Sequence, residues 1–352
     1  MTKTTKISSR LHIKKLADLD LRDCFFDSLK SDYEGFESWA GRNPTRECYV
    51  QERIETGEIE GLLVLKEEKA PFADIKPIPE WESALKVCTF KIDGHNTRLG
   101  QLFVQLILKK QIMSGLRYSY LTILPTHPEL VRLVERYGFQ QYGTLSNTGE
   151  TVYVKDLEKI HDNPILDYPR FQIEGKRFFV LGIYPEYHTK MFSMSKLNNE
   201  SPDIIDDLPY SNSITKVYVC KMSGIRDMQP GDIIFIRRTK GQGSAYYTSC
   251  VTSVCTILEI RKASSFSTFD EYYNYTSPYN LFTEDELRKY HNNNSYAIKM
   301  VYNAALNKRP TNRQVIDILG AEPNYWGLFE LNETQAKKLM TLGGIHERLI
   351  IN

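Results

Sequence analysis

The sequence predicts a two-domain protein of mixed α+β / α/β class. The first domain is a mixed sheet with flanking helices, the second a small β-barrel with peripheral helices. Three observations predict this. A strand, turn, helix, strand, helix succession occupies residues 85–139, with the apolar period switching from two to 3.6 and back. At 352 residues the chain exceeds what one hydrophobic core ordinarily serves. Beyond a polar break at Asp162-Asn163-Pro164, the pattern turns to strands separated by Gly/Pro turns. The expected division is a first domain over 1–157, a linker over 158–168 and a second domain over 169–352.

Taken in order, residues 11–17 read as a short strand or turn. Residues 20–29 read as a helix with Leu21, Phe25, Phe26 and Leu29 on one face, and 33–39 as a second helix ending at Gly41. Residues 48–54 and 59–66 are strands joined by a Glu-Thr-Gly-Glu turn. Prolines 71, 77 and 79 make residues 69–80 a loop. Residues 85–92 alternate as a strand and give way to the polar turn 93–98. Leu102, Phe103, Leu106, Ile107 and Leu108 then form an apolar stripe at helical spacing. A strand at 118–124 and a helix at 129–136 follow. That helix stops at Tyr137-Gly138-Phe139, where Gly138 can take the left-handed cap. Residues 143–154 close the domain as a strand pair around Asn147-Thr148-Gly149.

The Arg98-Leu99-Gly100 turn opening an amphipathic helix, the element order and the closing Tyr137-Gly138-Phe139 resemble the GNAT acetyltransferases, over roughly residues 7–156. The resemblance implies acetyl-CoA as cofactor, its pyrophosphate on the helix N-terminus and its pantetheine arm along a splayed strand. Carried over by position, the cofactor-binding candidates are Lys91, Ile92, Arg98, Leu99, Gly100, Gln101 and Leu102. The catalytic candidates are Glu82, as a base acting through water, and His127 and Tyr137 as acids. The turn departs from the family's usual pair of glycines at Arg98, and Val134 stands where many members carry a general-acid Tyr. These departures imply the alternative, a catalytically degenerate GNAT-fold regulator.

In the second half, strands are expected at 178–183, 214–222, 233–237 and 245–260, with a surface loop at 200–207 and a glycine-containing loop at 239–244. Helices are expected at 284–291, 312–319 and 333–342, the last opened by Asn332 as cap. The Pro230-Gly231-Asp232 turn feeding a hydrophobic strand resembles the PUA/ASCH/EVE group, which implies an RNA or nucleotide ligand. Lys221, Arg237, Arg238, Lys240, Tyr246, Tyr247 and Trp326 are the nucleic-acid-binding candidates, since cations meet phosphates and aromatic faces stack on unpaired bases. A solvated charged face and ordinary strand packing are the bland reading of the same residues. Fusions of these two domain types resemble partners of PIN-type ribonuclease toxins, which extends the regulator alternative to an antitoxin or RNA-sensing role.

Composition limits the other classes. The net charge is +1, so any nucleic-acid binding must use a local patch rather than a global field. The six cysteines show no C-x-x-C spacing, which favours reduced thiols and no metal site. No run approaches ~18 apolar residues, so no membrane span is expected, and the expected location is cytoplasmic.

Overall fold

A computed structural model describes residues 8–93, 97–195, 205–206, 209–240 and 244–352. It divides into an N-terminal unit, residues 1–160 with 201–208, and a C-terminal unit, residues 161–200 with 209–352.

The N-terminal unit contains strands β1 (Ser8–Lys15), β2 (Glu47–Arg53), β3 (Ile59–Lys69), β4 (Ile75–Lys76), β5 (Ser83–Ile92), β6 (Tyr118–Ile123), β7 (Gln140–Leu145) and β8 (Thr151–Asp156). Its helices are α1 (Asp27–Asp32), α2 (Phe36–Arg42), α3 (Leu99–Met113) and α4 (Pro128–Arg136). The sheet order is β1-β2-β3-β5-β6-β8-β7-β4, and the two-residue strand Ile205–Asp206 adds to the outer edge of β1. Within this sheet the described pairs are antiparallel except β5–β6, which α3 joins as a crossover. Helix α3 is buried on most of its surface, Leu99, Leu102, Phe103, Ile107, Leu108 and Ile112 included. It is therefore a central core helix rather than a half-exposed one.

Helix α4 starts with Pro128, whose missing N–H costs nothing there, and ends before Gly138 at φ 82°. The buried Lys155 ammonium donates to the Tyr137 carbonyl at 3.0 Å, placing a cation on the negative end of the helix. The helix expected over 20–29 begins later than its apolar face suggests. The Asp23 carboxylate accepts the Phe25 N–H at 2.8 Å and opens a 3₁₀ turn, Cys24–Phe26, ahead of α1. Phe25, Phe26 and Phe36 then pack on Val50, Leu62 and Val64 of the sheet.

The segment expected as a linker is ordered from His161 onward. The Asp167 carboxylate accepts the N–H groups of His161 at 2.7 Å and Asn163 at 3.0 Å.

In the C-terminal unit β9 (Phe171–Gln172), β10 (Phe178–Ile183) and α5 (Pro185–Met191) come first. Counting Ile205–Asp206 as β11, there follow α6 (Pro209–Asn212), β12 (Thr215–Cys220), β13 (Ile233–Arg238), α7 (Ala245–Thr248) and β14 (Cys250–Lys262). Then come α8 (Phe269–Thr276), α9 (Glu284–His291), β15 (Tyr296–Ala305), α10 (Asn312–Leu319), β16 (Leu328–Leu331), α11 (Glu333–Gly343) and β17 (Ile350–Ile351). The main sheet runs β12-β15-β14-β13-β10-β16. The expected barrel does not close among the described strands, because β12 and β16 remain separate edges. Bulges bend the long β14 against both neighbours, while Met191 of α5, Tyr272 of α8 and Leu287 of α9 join the core. Helices thus do the covering that closure would otherwise do. The strand expected from 245 starts only at Cys250, since the Ser244 hydroxyl caps the Tyr246 N–H at 3.4 Å and starts α7. Of the loops expected at 93–98, 200–207 and 239–244, residues 94–96, 200–204, 207 and 241–243 lie outside the described residues.

Candidate functional site

Among the described residues a large cleft opens in each unit near the carboxyl ends of a parallel strand pair. In the N-terminal unit β5 and β6 pair from Ala84–Tyr118 to Val87–Leu121. Strand β5 then continues to Ile92 paired with β3 alone, so the two strands part beyond Val87. At the parting Cys88 is a bulged residue, since Thr89 and Val87 face successive partners, Val64 and Leu65. Such bulges re-aim strand backbone beside binding sites. A cleft of about 1190 Å3 runs along Thr89, Phe90, Lys91 and Ile92, under Tyr33 and Trp39 and against the start of α4.

Glu150 and His127 are among the polar residues that line this cleft. Glu150, 5% exposed, stands at the start of β8, where its carboxylate accepts the Thr122 hydroxyl at 3.0 Å and the Thr148 hydroxyl at 2.8 Å. Thr122 follows Leu121, the last residue of β6 paired with β5, so the carboxylate is held at the fork. His127 lies 3.3 Å from the Asp32 carboxylate, Nε2 to Oδ2, with both side chains partly exposed. Tyr33 lines the same wall. Burial, then the charges of Glu150 and Asp32, push its phenol up to about 12, so it remains a protonated donor at neutral pH. The Cys88 thiol also lines the cleft and is pushed up by burial, which keeps it un-ionised.

The residues expected at this site are distributed unevenly. His127, Lys91 and Ile92 line the cleft. The Lys91 ammonium is spoken for by the Ser28 hydroxyl at 2.6 Å and the Asp93 carboxylate at 3.0 Å, above the Phe25 ring. Leu99, Gln101 and Leu102 are buried, which leaves only their backbone for a ligand. Gly100 answers to packing, because a Cβ there would lie 2.7 Å from the Leu133 Cδ2 atom. Arg98 adopts φ 60°, taking the left-handed position ahead of α3, and its side chain is not part of the cleft wall. Glu82 is exposed at the opposite end of β5 from the fork, and Tyr137 is wholly buried. Neither touches the cleft: Glu82 precedes the strand, and the α4 cap turns Tyr137 inward. Glu150, Tyr33 and Asp32 escape sequence reasoning, since only the pairing of β6 with β8 and the fold-back of α1 bring them to the fork.

The second cleft, about 1110 Å3, opens beyond β10 and β13, which pair in parallel from Phe178–Ile233 to Ile183–Arg238. Lys221, Arg237, Lys240, Tyr246 and Trp326 line it, together with Tyr187, Tyr218, Tyr290 and Tyr325. Tyr247 is exposed outside it, and Arg238 points away from it. The Arg237 guanidinium lies 4.6 Å over the Trp326 ring, donates from Nε to Asn312 Oδ1 at 2.7 Å, and from Nη1 to the Trp326 carbonyl at 3.2 Å. Burial pushes it down to about 10. The Lys221 ammonium lies 5.8 Å from the Tyr290 ring centre. Among the described residues no cluster of metal-ligating side chains occurs, and no helix is long and apolar enough to cross a membrane.

No protein-family model matches the sequence, nor does any curated protein. Several solved structures each resemble about half of the chain. The ASCH protein of Zymomonas mobilis is 13% identical, with a TM-score of 0.34, over 47% of this chain and 94% of its own. A GNAT-family acetyltransferase of Listeria monocytogenes is 15% identical, with a TM-score of 0.29, over 42% of this chain and 95% of its own. Naa20 of Chaetomium thermophilum, in complex with a bisubstrate analogue, is 18% identical, with a TM-score of 0.32, over 44% and 90%.

Proposed function

We propose that the N-terminal unit is an acetyl-CoA-dependent N-acyltransferase and that the C-terminal cleft binds RNA or a nucleotide. The parting of β5 and β6 carries the first reading. A strand edge without a partner strand, facing a cleft, suits a ligand arm that carries its own amide groups, because such an arm can complete the ladder. Leu99 and Gly100 begin α3, where helix N–H groups suit a pyrophosphate. Bound acetyl-CoA supplies a thioester carbonyl open to attack by an amine. Glu150 at the fork takes the proton that the amine must lose, directly or through one water. Tyr33 keeps its own proton and donates a hydrogen bond, while the Asp32 carboxylate orients the His127 imidazole. Transfer is direct: the amine nitrogen bonds to the acyl carbon, the C–S bond breaks, and coenzyme A leaves as its thiol.

Calorimetric titration of the full chain with acetyl-CoA tests this, followed by coenzyme A release in the presence of primary amines. Micromolar affinity and amine-dependent release are expected; no heat at millimolar ligand removes the enzyme reading. That result would favour the regulator. Its supporting observation is Arg98, where a non-glycine residue holds the left-handed turn position at a cost of about 1–2 kcal/mol. A protein partner, such as a PIN-type ribonuclease, belongs to that second reading.

A further inference from the structure

We infer that the floor of the C-terminal cleft is a phosphate subsite built on Arg237, with the Ser249 and Thr239 hydroxyls as further donors. The assignment deepens the nucleotide reading of this cleft and rests on it for the identity of the ligand.

Arg237 is a buried cation, 4% exposed. Its two described hydrogen bonds end on neutral oxygens, the Asn312 side chain and the Trp326 carbonyl. Among the described residues no carboxylate comes within ion-pair distance of it. Burying a guanidinium among neutral partners is unfavourable, and proteins ordinarily avoid it unless an anion completes the site. The bonds made from Nε and Nη1 leave Nη2 as the nitrogen available to the cleft that Arg237 lines.

Two further donors share that wall. Among the described residues Ser249, 0% exposed, has no hydrogen-bond partner for its Oγ, and Thr239 has none for its Oγ1; both residues line the cleft beside Arg237. Buried hydroxyls normally find acceptors, and an oxyanion with several lone pairs would satisfy both together with the guanidinium. The backbone keeps the place open. A Cβ at Gly182 would lie 2.9 Å from the Trp326 carbonyl oxygen and 3.3 Å from Arg237 Nη1, so only glycine lets the guanidinium reach that carbonyl.

The charge of the cleft agrees. Lys221, Arg237, Lys240 and Lys289 face it against Glu286 and Glu322. Glu286 is already occupied by the Tyr187 hydroxyl at 3.2 Å and by the N-terminus of α9. The aromatic walls toward Tyr187, Tyr218 and Tyr290 leave room for the base whose phosphate sits on Arg237.

Calorimetry on the full chain tests the assignment, with the four ribonucleosides, their 3′- and 5′-monophosphates and inorganic phosphate as probes. At least one monophosphate should bind about tenfold or more tighter than its nucleoside, the difference a charge-assisted hydrogen bond supplies. Arg237→Gln should abolish that preference and leave nucleoside affinity unchanged. Ser249→Ala should reduce the preference about threefold. Equal binding of nucleoside and nucleotide, or a preference that survives Arg237→Gln, overturns the subsite and leaves the nucleotide reading intact. Inorganic phosphate bound on Arg237 with no nucleoside or nucleotide bound keeps the subsite and removes the nucleotide reading. Silence from every probe overturns both. Should Arg237→Gln not fold by circular dichroism, Ser249→Ala decides, and an unchanged preference there overturns the subsite.

Discussion

The two clefts arise from the same architectural event and put it to different uses. In each unit one parallel strand pair interrupts an otherwise antiparallel main sheet, and the cleft lies near that pair's carboxyl ends. In the N-terminal unit the pair separates after Val87 and Leu121, so what faces the cleft is strand backbone and a carboxylate held at the fork. In the C-terminal unit the pair stays joined to Ile183 and Arg238, so what faces the cleft is side chains, mostly aromatic rings and cations. Backbone presented along an edge suits an extended ligand with amides of its own. Rings and guanidinium groups suit a flat, charged one. Strand pairing, more than composition, decides whether backbone or side chains face each cleft.

The comparison breaks most decisively at Glu150. If backbone binds and this carboxylate reacts, Glu150→Gln should lower amine-dependent turnover by about 10² to 10⁴, the range of a general base, with acetyl-CoA affinity nearly unchanged. Equal loss of binding and turnover would make Glu150 a structural residue of the fork.

The next largest effect separates two histidines, each carried by or capping the helix that follows a parallel strand. His127 is partly exposed beside Asp32. His188 of α5 is wholly buried, its Nε2 2.7 Å from the Thr252 hydroxyl, and burial, then the Arg238 and Arg309 charges, pushes it down to about 3. Among the described residues its Nδ1 has no hydrogen-bond partner that protonation would serve. The folded state therefore holds it neutral while the unfolded chain takes up a proton below about 6.5. The stability concerned is complete above 6.5 and is lost as the pH falls toward 3, at about 1.4 kcal/mol per pH unit. From pH 7 to 5 the C-terminal unit should lose about 2 kcal/mol that His188→Asn does not lose. Urea unfolding of the full chain carrying Trp39→Phe and Trp81→Phe, with Trp326 as sole reporter, measures it. Parallel pH slopes in the two proteins would contradict a neutral buried His188.

Much of the frame was legible in the sequence. The succession over 85–139 places β5, α3, β6 and α4, because period and cap residues act locally; Gly138 and Asn332 sit at the helix ends where their chemistry puts them. Sheet closure was not legible, since whether β12 meets β16 depends on how far bulges bend β14 and on what the helices cover. The sites divide in the same way. Arg237, Lys221 and Trp326 could be nominated because cations and rings are visible as residue types, and they line one cleft. Glu150 could not: a Glu after an Asn-Thr-Gly turn looks like any solvated hairpin carboxylate until β6 pairs with β8 and brings Thr122 to it. Glu82 is close in sequence to β5, and it stands at the end of that strand opposite the fork.

The smallest expected effect concerns Lys91, and it sharpens the claim that backbone does the binding at the fork. Its ammonium is held by Ser28 and Asp93 and lies 4.9 Å from the Phe25 ring centre, so it ties β5 to α1 instead of pointing free into the cleft. Lys91→Met keeps the aliphatic stem over the ring and removes only the charge. Partly exposed ion pairs contribute about 0.2–1 kcal/mol, so acetyl-CoA affinity should fall no more than about fivefold, with little change in salt dependence. A loss of a hundredfold, or a marked flattening of the salt dependence, would mean that the ammonium leaves Ser28 and Asp93 to meet a phosphate. The N-terminal cleft would then bind by side-chain charge, as we propose for its C-terminal counterpart, and the contrast between the two would disappear.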